Sequence, residues 1–474
     1  MSAFAFLAGV VVAAVGVIGI ALAGPLLWDL VRFKRGVYRI DPGRIAGYAE
    51  RYSFTQGEPI DLFIHSDQPL TVTPLRLAEA WELVGDSFRL GAQRQDNRFD
   101  RRRGMRWSKS ATIDSRPLPP GLYQFLLRQD ANPAARFAIP IIIKDGRPHP
   151  LSVVLTTNTW DAYNTYGGIS HYENHYVCRL SWALARILKR PSWISECVPR
   201  RRPNALFSEE VKDADFDGAY SSFLVRNELQ FLVFLARNGY AYGVYDDRDM
   251  AHDPILQEAS ALVFCGHSEY WTDSMFYPFE RFVARGGKVF RAIAGMEGQA
   301  SFTPLGLSFG HRPEDMIANG LVGAHTDPEG SFTAAPYRVL RPDHWVFAGT
   351  SLRLDDLFGA ESANRPSFDI AGHQHLRGTI DLEGQPQNGA SGFFTSKVGP
   401  GSGAFSLLAV GTNPRGPAQM VYRDTPAGGW IFNASSIAFN GALFRDAAVA
   451  RIVRNLMDGA IGRSRQGERV PSDG

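Results

Sequence analysis

Hydrophobic and polar positions divide the 474 residues into four stretches. Residues 4–27 form an apolar run, and residues 1–28 contain no charged side chain. About 20 apolar residues suffice to cross the hydrocarbon core as a helix, so residues 1–36 are expected to form a transmembrane anchor. Ala21-Leu22-Ala23 resembles a cleavage site, which leaves a signal peptide as the rival reading. No Lys or Arg precedes the run, whereas Arg32, Lys34 and Arg35 follow it. That order favours a retained anchor, and the positive-inside rule then places the remainder in the cytoplasm. The expected location is that of a single-pass membrane protein.

Residues 37–150 show short apolar alternations bounded by turn residues. Strands are expected at 60–65, 122–127 and 138–143, with Gly57-Glu58-Pro59 and residues 117–121 (PLPPG) as turns. Pro140 confines the last of these to a sheet edge or a bulge. Short strands at this spacing suggest a β-sandwich domain.

From residue 151 the rhythm changes to strand–helix alternation, with strands expected at 151–155, 242–245, 261–265 and 288–294. Phe223, Leu224, Phe231, Leu232 and Leu235 lie at helical spacing, and Gly239 ends that helix. A second helix precedes Gly286-Gly287, with Pro278 kinking it or delaying its start. Beyond about residue 300 the chain is Gly- and Pro-rich, with a strand at 430–434 and a helix at 446–459. Residues 463–474 read as a polar, disordered tail. The expected fold class is α/β plus β: a transmembrane helix, a β-sandwich over 37–150, then a parallel α/β domain over 151–462. In such sheets ligands bind beyond the carboxyl ends of the strands. That rule singles out residues 158–166, 246–249, 267–271 and 295–299.

Charge narrows the function classes. Lys and Arg total 50 against 48 Asp and Glu, a net +2, which argues against a dedicated nucleic-acid binder. Three cysteines, none in a CxxC pair, support neither a disulfide scaffold nor a zinc ribbon. Arg101-Arg102-Arg103 reads as a solvated loop, or as a patch meeting anionic lipid beside the anchor.

Two segments at expected strand ends are rich in chemistry. Residues 159–168 (TWDAYNTYGG) gather Trp160, Tyr163, Asn164 and Tyr166, either packing a loop or lining a pocket. Residues 266–271 (GHSEYW) place His267 and Glu269 two apart, so on an extended segment they share a side. Glu269 then suits a ligand or base, and His267 a proton shuttle or hydrogen-bond donor; a surface turn with a helix cap is the plainer alternative. Ser268 lacks a GxSxG elbow because Tyr270 replaces the second glycine, and Cys265 reads as the end of a buried strand. His171 and His175 are four apart but lack the HExxH order. Asp247 and Asp249 read as caps before they read as ribose or metal ligands.

Together the two segments resemble the large-subunit family of N,N-dimethylformamidase, whose pattern is TWxAYN…GG, a helix and strand, GHxEYW, then a GG-strand. The order and register match over about residues 150–300. The resemblance implies a β-sandwich followed by a glutamine-amidotransferase-like α/β domain. It also implies a mononuclear iron (Fe3+) held by two tyrosinates and a glutamate, acting on a small amide to give an acid and an amine. Carried over, Tyr163 and Glu269 are the matching ligands, Tyr220 is the second tyrosine, and His267 assists proton transfer. Trp160, Asn164, Tyr166 and Trp271 would line the pocket. The implied partners are a small subunit or a second copy of the chain. Two positions depart from the family: Met296 where it shows GGN, and Gln374 in its AGxE-like segment, with Glu297 or His373 as substitutes. These departures favour a second reading, a non-catalytic small-ligand-binding protein on the same scaffold.

Overall fold

The computed structural model describes residues 37–100, 102–171, 197–211, 224–293, 298–303, 306–311, 324–327, 333–363, 388–392, 395–398 and 405–463. Residues 1–36, on which the anchor was placed, lie outside them, as do Tyr220, Met296, Glu297, His373, Gln374 and residues 464–474. The membrane expectation is corrected. Among the described residues no helix is long and apolar enough to cross a membrane. The helix Ala447–Ile461 spans 15 residues, short of the roughly 20 a bilayer needs, and buries one face in the core. Neither an N-terminal transmembrane helix nor a single-pass location is carried further.

The first layers are antiparallel except where Ser53–Thr55 runs parallel to Arg136–Lys144. A three-stranded sheet orders Ala111–Asp114, Pro59–Ser66 and Ile45–Ala49. A six-stranded sheet orders Ser53–Thr55, Arg136–Lys144, Gly121–Gln129, Leu70–Leu77 and Trp81–Leu83, with Phe88–Leu90 also on Leu70–Leu77. Ile60, Leu62 and Ile64 of the first meet Tyr123, Phe125, Ile139 and Ile141 of the second in one core. Alternate residues Leu122, Ala138 and Ile142 point the other way, into the next layer. Because Arg136–Lys144 is covered on both faces, it reads as a nearly continuous apolar run. Pro140 pairs across from Gln124 and lies beyond the reach of Ser53–Thr55, which meets only Ile142, Ile143 and Lys144. The strand is an edge there, where a missing amide is tolerated.

The largest sheet has nine strands. Five are parallel: β1 (Leu151–Leu155), β2 (Tyr242–Asp246), β3 (Ala261–Phe264), β4 (Lys288–Arg291) and β5 (Trp430–Asn433). Their spatial order is 2-1-3-4-5. Beyond β5 come Gln419–Asp424, Ser406–Gly411, Tyr337–Val339 and Leu357–Phe358, all antiparallel. The expected parallel domain is thus corrected to a mixed sheet, and among the described residues strand outweighs helix. Antiparallel neighbours need only short turns rather than helical crossovers, which fits a Gly- and Pro-rich second half.

Four helices matter for the site: α1 (Thr157–Tyr163), α2 (Val225–Arg237), α3 (Asp273–Ala284) and α4 (Ala447–Ile461). α2 and α4 pack with Val153, Val263, Phe290 and Phe432 on one face of the sheet. α3 packs with Val154, Phe264, Val289 and Ile431 on the other. Pro278 stands inside α3, which starts at Asp273 with the Thr272 hydroxyl accepting from the Met275 N–H at 3.2 Å. In a 2-1-3-4-5 sheet, successive connections leave β1 and β3 in opposite directions, opening a crevice at their carboxyl ends.

Candidate functional site

That crevice is built around a buried carboxylate. Glu228, in the first turn of α2, is fully buried. Its two oxygens accept the Thr156 N–H and the Trp160 indole N–H, each at 2.8 Å. Gly266 follows β3, and a Cβ there would lie 2.3 Å from Glu228 Oε1. Glycine is therefore required for α2 to reach both strand ends at once.

On this support α1 carries Tyr163 toward the turn after β3. The Tyr163 hydroxyl donates to Glu269 Oε2 at 3.3 Å, and His267 Nε2 lies 3.1 Å from the same oxygen. The Tyr163 and His267 rings meet edge to face at 6.5 Å. The Glu269 N–H donates to Thr159 Oγ1 at 3.2 Å, tying its backbone to α1. The Glu269 side chain is 22% exposed and that of His267 only 4%, so the carboxylate is the member open to a small ligand.

Beneath α1 lies a buried ionic layer. Asp161 pairs with Arg200 Nε at 2.7 Å and accepts the Tyr52 hydroxyl at 2.6 Å. Arg200 also donates to Asn158 Oδ1 at 3.1 Å. Arg202 donates to the carbonyls of Ile169, Tyr166 and Asp161 at 2.7, 3.0 and 3.0 Å, spanning the turn after α1. Burial works against the Arg200 charge, but Asp161, with Asp246 and Asp247, more than offsets it and raises its pKa. Burial, then the Asp161 charge, pushes the Tyr52 phenol well up. Asp247 accepts the Asn158 N–H at 2.7 Å, and burial holds its carboxyl well above the usual range. Asp246 and Asp249 form a capping box at the start of helix Asp247–His252.

The structure thus brings Tyr163, His267 and Glu269 together. The four residues expected to line a pocket are otherwise engaged. Trp160 and Trp271 are fully buried, the latter donating to Ser268 Oγ at 2.7 Å. Asn164 donates to the Pro203 carbonyl at 3.0 Å, and the Tyr166 hydroxyl to the Pro42 carbonyl at 3.3 Å. His171 packs edge-on against Tyr270 at 5.3 Å, and His175 lies outside the described residues. Cys265 is buried and its thiol pKa is pushed up by burial, which matches the end of a core strand. Glu228, Asp161, Arg200 and Arg202 were not foreseen as site residues. The available signal was a carboxylate one turn before the apolar stretch Phe231–Leu235 of α2 and an arginine run before Pro203.

Sandwich layers on a 2-1-3-4-5 sheet, with tyrosine, histidine and glutamate at its switch point, define an α/β-plus-β protein with a candidate site at the strand ends. The chain belongs to the N,N-dimethylformamidase beta subunit-like family, whose C-terminal model matches residues 89–296 and 294–450. No curated protein matches it. Among solved structures, a ThuA-like protein of Parabacteroides merdae ATCC 43184 is 12% identical over 69% of this chain and 94% of its own, with a TM-score of 0.28. The β-galactosidase of Rahnella sp. R3 is 11% identical over 51% of this chain, also at 0.28. The chain spans 27% of that enzyme's length. Likeness at this level decides nothing about activity.

Proposed function

We propose that the chain hydrolyses the carbon–nitrogen bond of small amides, with a ferric ion held by Tyr163, Glu269 and Tyr220. One observation carries this reading: a phenol oxygen and a carboxylate oxygen converge to 3.3 Å beside a buried imidazole. This donor set fits the ion, because hard oxygen ligands suit a Lewis-acidic cation. Among the described residues no three His, Cys, Asp or Glu side chains gather as a metal cluster, so the tyrosine is the distinguishing donor. When bound, such an ion polarises a carbonyl or activates water. The chain's own groups do the rest. His267 Nε2 faces Glu269 and orients that carboxylate, and its ring is placed to take a proton from the attacking water and pass it to the departing amine. Thr159 fixes the Glu269 backbone, and Glu228 keeps α1 in register with β3. The family description names a beta subunit, and a smaller partner subunit forms part of the proposal. Trp160 and Trp271 are completely buried, so neither indole is exposed as a face for the non-catalytic ligand-binding reading.

The test is metal analysis with a visible spectrum and a screen of small amides. Iron stoichiometric with the chain, a phenolate band and amine release, all lost in Glu269→Gln, are expected. A folded protein that takes up no iron when it is supplied would refute the metal assignment.

A further inference from the structure

A separate cleft of about 370 Å³ lies on the sandwich, bounded by Arg103, Arg106 and Arg201 and walled by Tyr48, Phe63 and Trp107. Its volume falls within the range of small-ligand sites. None of these residues belongs to the Tyr163–Glu269 cluster. The wall is rigid: Tyr48 stacks on Phe63 at 5.1 Å and packs against Trp107 at 5.5 Å. The Trp107 indole is fixed by donation to the Asp96 carbonyl at 2.9 Å. The rim is fixed too. The Arg201 carbonyl accepts the Met105 N–H at 2.6 Å. Gly104 beside it has φ +79°, and a Cβ there would lie 2.2 Å from that carbonyl oxygen.

Charge decides what the cleft suits. Arg106 pairs with Asp100 at 3.1 Å, and Arg201 pairs with Glu50. Arg103 has no carboxylate partner among the described residues. Three cations against two anions leave one positive charge, carried by a guanidinium whose planar fork matches a carboxylate with two parallel hydrogen bonds. A single charge suits a monoanion better than a phosphate dianion. We propose that this cleft is a second ligand site, for a small monocarboxylate with a flat body, its carboxylate on Arg103 and its body along Trp107 and Phe63. This stands apart from the amide-hydrolase reading.

The test uses the full chain and two probes of like shape, 4-fluorobenzoate and the neutral ketone 4-fluoroacetophenone, which has no carbon–nitrogen bond to cleave, followed by fluorine NMR. The benzoate should bind at least about fivefold more tightly than the ketone. Arg103→Gln, an exposed change whose folding is checked by circular dichroism, should weaken it about five- to tenfold, on the scale of one lost charged contact. Glu269→Gln should leave it unchanged. Several results would overturn the proposal. They are no benzoate binding at millimolar concentration, equal binding of the ketone, insensitivity to Arg103→Gln, loss in Glu269→Gln, and competition by inorganic phosphate as strong as by benzoate.

Discussion

Asp161→Asn probes the ionic layer beneath α1 most directly. Asparagine keeps the shape of the side chain and an oxygen for the Tyr52 hydroxyl, which now sits at 2.6 Å. What it removes is the charge facing Arg200 Nε at 2.7 Å. Arg200 is 7% exposed, so water cannot replace that partner. Breaking a buried pair from one side costs about 3–5 kcal/mol, because the remaining charge is stranded. Arg200 keeps its bond to Asn158 Oδ1 at 3.1 Å and the pull of Asp246 and Asp247, which places the cost near the lower end, about 3 kcal/mol. At about 2.1 cal/mol/K per residue, a folding unit of roughly 310–430 residues then loses about 3–5 °C in Tm. Arg200→Met should cost about as much by stranding Asp161. The double variant leaves neither charge and should be more stable than the sum of the singles predicts, by about 1–3 kcal/mol. Thermal denaturation of the four proteins closes the cycle. Singles costing below about 1 kcal/mol, the value of an exposed pair, or strictly additive costs, would refute the view that this pair supports the site.

Gly266→Ala should cost about 1–3 kcal/mol by overpacking, since its Cβ would meet Glu228 Oε1 at 2.3 Å; chemical denaturation reads this, and an unchanged midpoint would count against the close approach. Glu228→Gln turns an amide N–H toward one of two donors and should cost about 2 kcal/mol; Trp160→Phe in the same background should recover part of it. Tyr163→Phe should weaken and shift the proposed phenolate band, leaving the share of Tyr220, while stability falls by less than about 1.5 kcal/mol, because its hydroxyl makes one long bond at 3.3 Å. Asp249 gives a pH test. Lys144 faces both Asp249 and Asp253 at 2.5 and 2.8 Å; against its attraction, burial and then Asp246 push the Asp249 carboxyl up to about 7. Its native pKa lies above the unfolded value, so its contribution is full below pH 4 and is lost as pH rises through about 7. Asp249→Asn should flatten stability over pH 4–7 relative to the parent, and parallel curves would refute the assignment.

The parts of this fold that were legible in the sequence are those long enough to show a period. α2, expected over 223–238, forms over Val225–Arg237, and β5, expected over 430–434, forms over Trp430–Asn433. Tyr337–Val339 and Leu357–Phe358 hold three and two residues, too few for any alternation to register, and their place in the sheet is set by neighbours far along the chain. The site divides in the same way. Tyr163, His267 and Glu269 were visible because each follows an apolar strand, and the strand order then brings their ends together. Glu228 was hidden because a carboxylate in a helix is ordinarily on the solvated face.

Arg200, Arg201 and Arg202 show most clearly why charge alone misleads. Three successive arginines would ordinarily belong on a solvated surface, yet Arg200 and Arg202 are 7% and 2% exposed while Arg201 faces outward. The chain bends there, with the Arg202 N–H donating to the Arg200 carbonyl at 2.7 Å, and the bend sends the middle side chain away from the other two. Two guanidiniums therefore go inward, where Asp161 and the carbonyls after α1 stand ready as acceptors, and the third goes to the rim of the sandwich cleft. Burial became affordable because the acceptors come from α1 and its following turn, about 40 residues earlier in the chain. The same short segment that fixes the Tyr163 helix also forms one edge of the proposed carboxylate site. A ligand on that edge would bear on Arg201, one residue from both of the arginines that hold the helix.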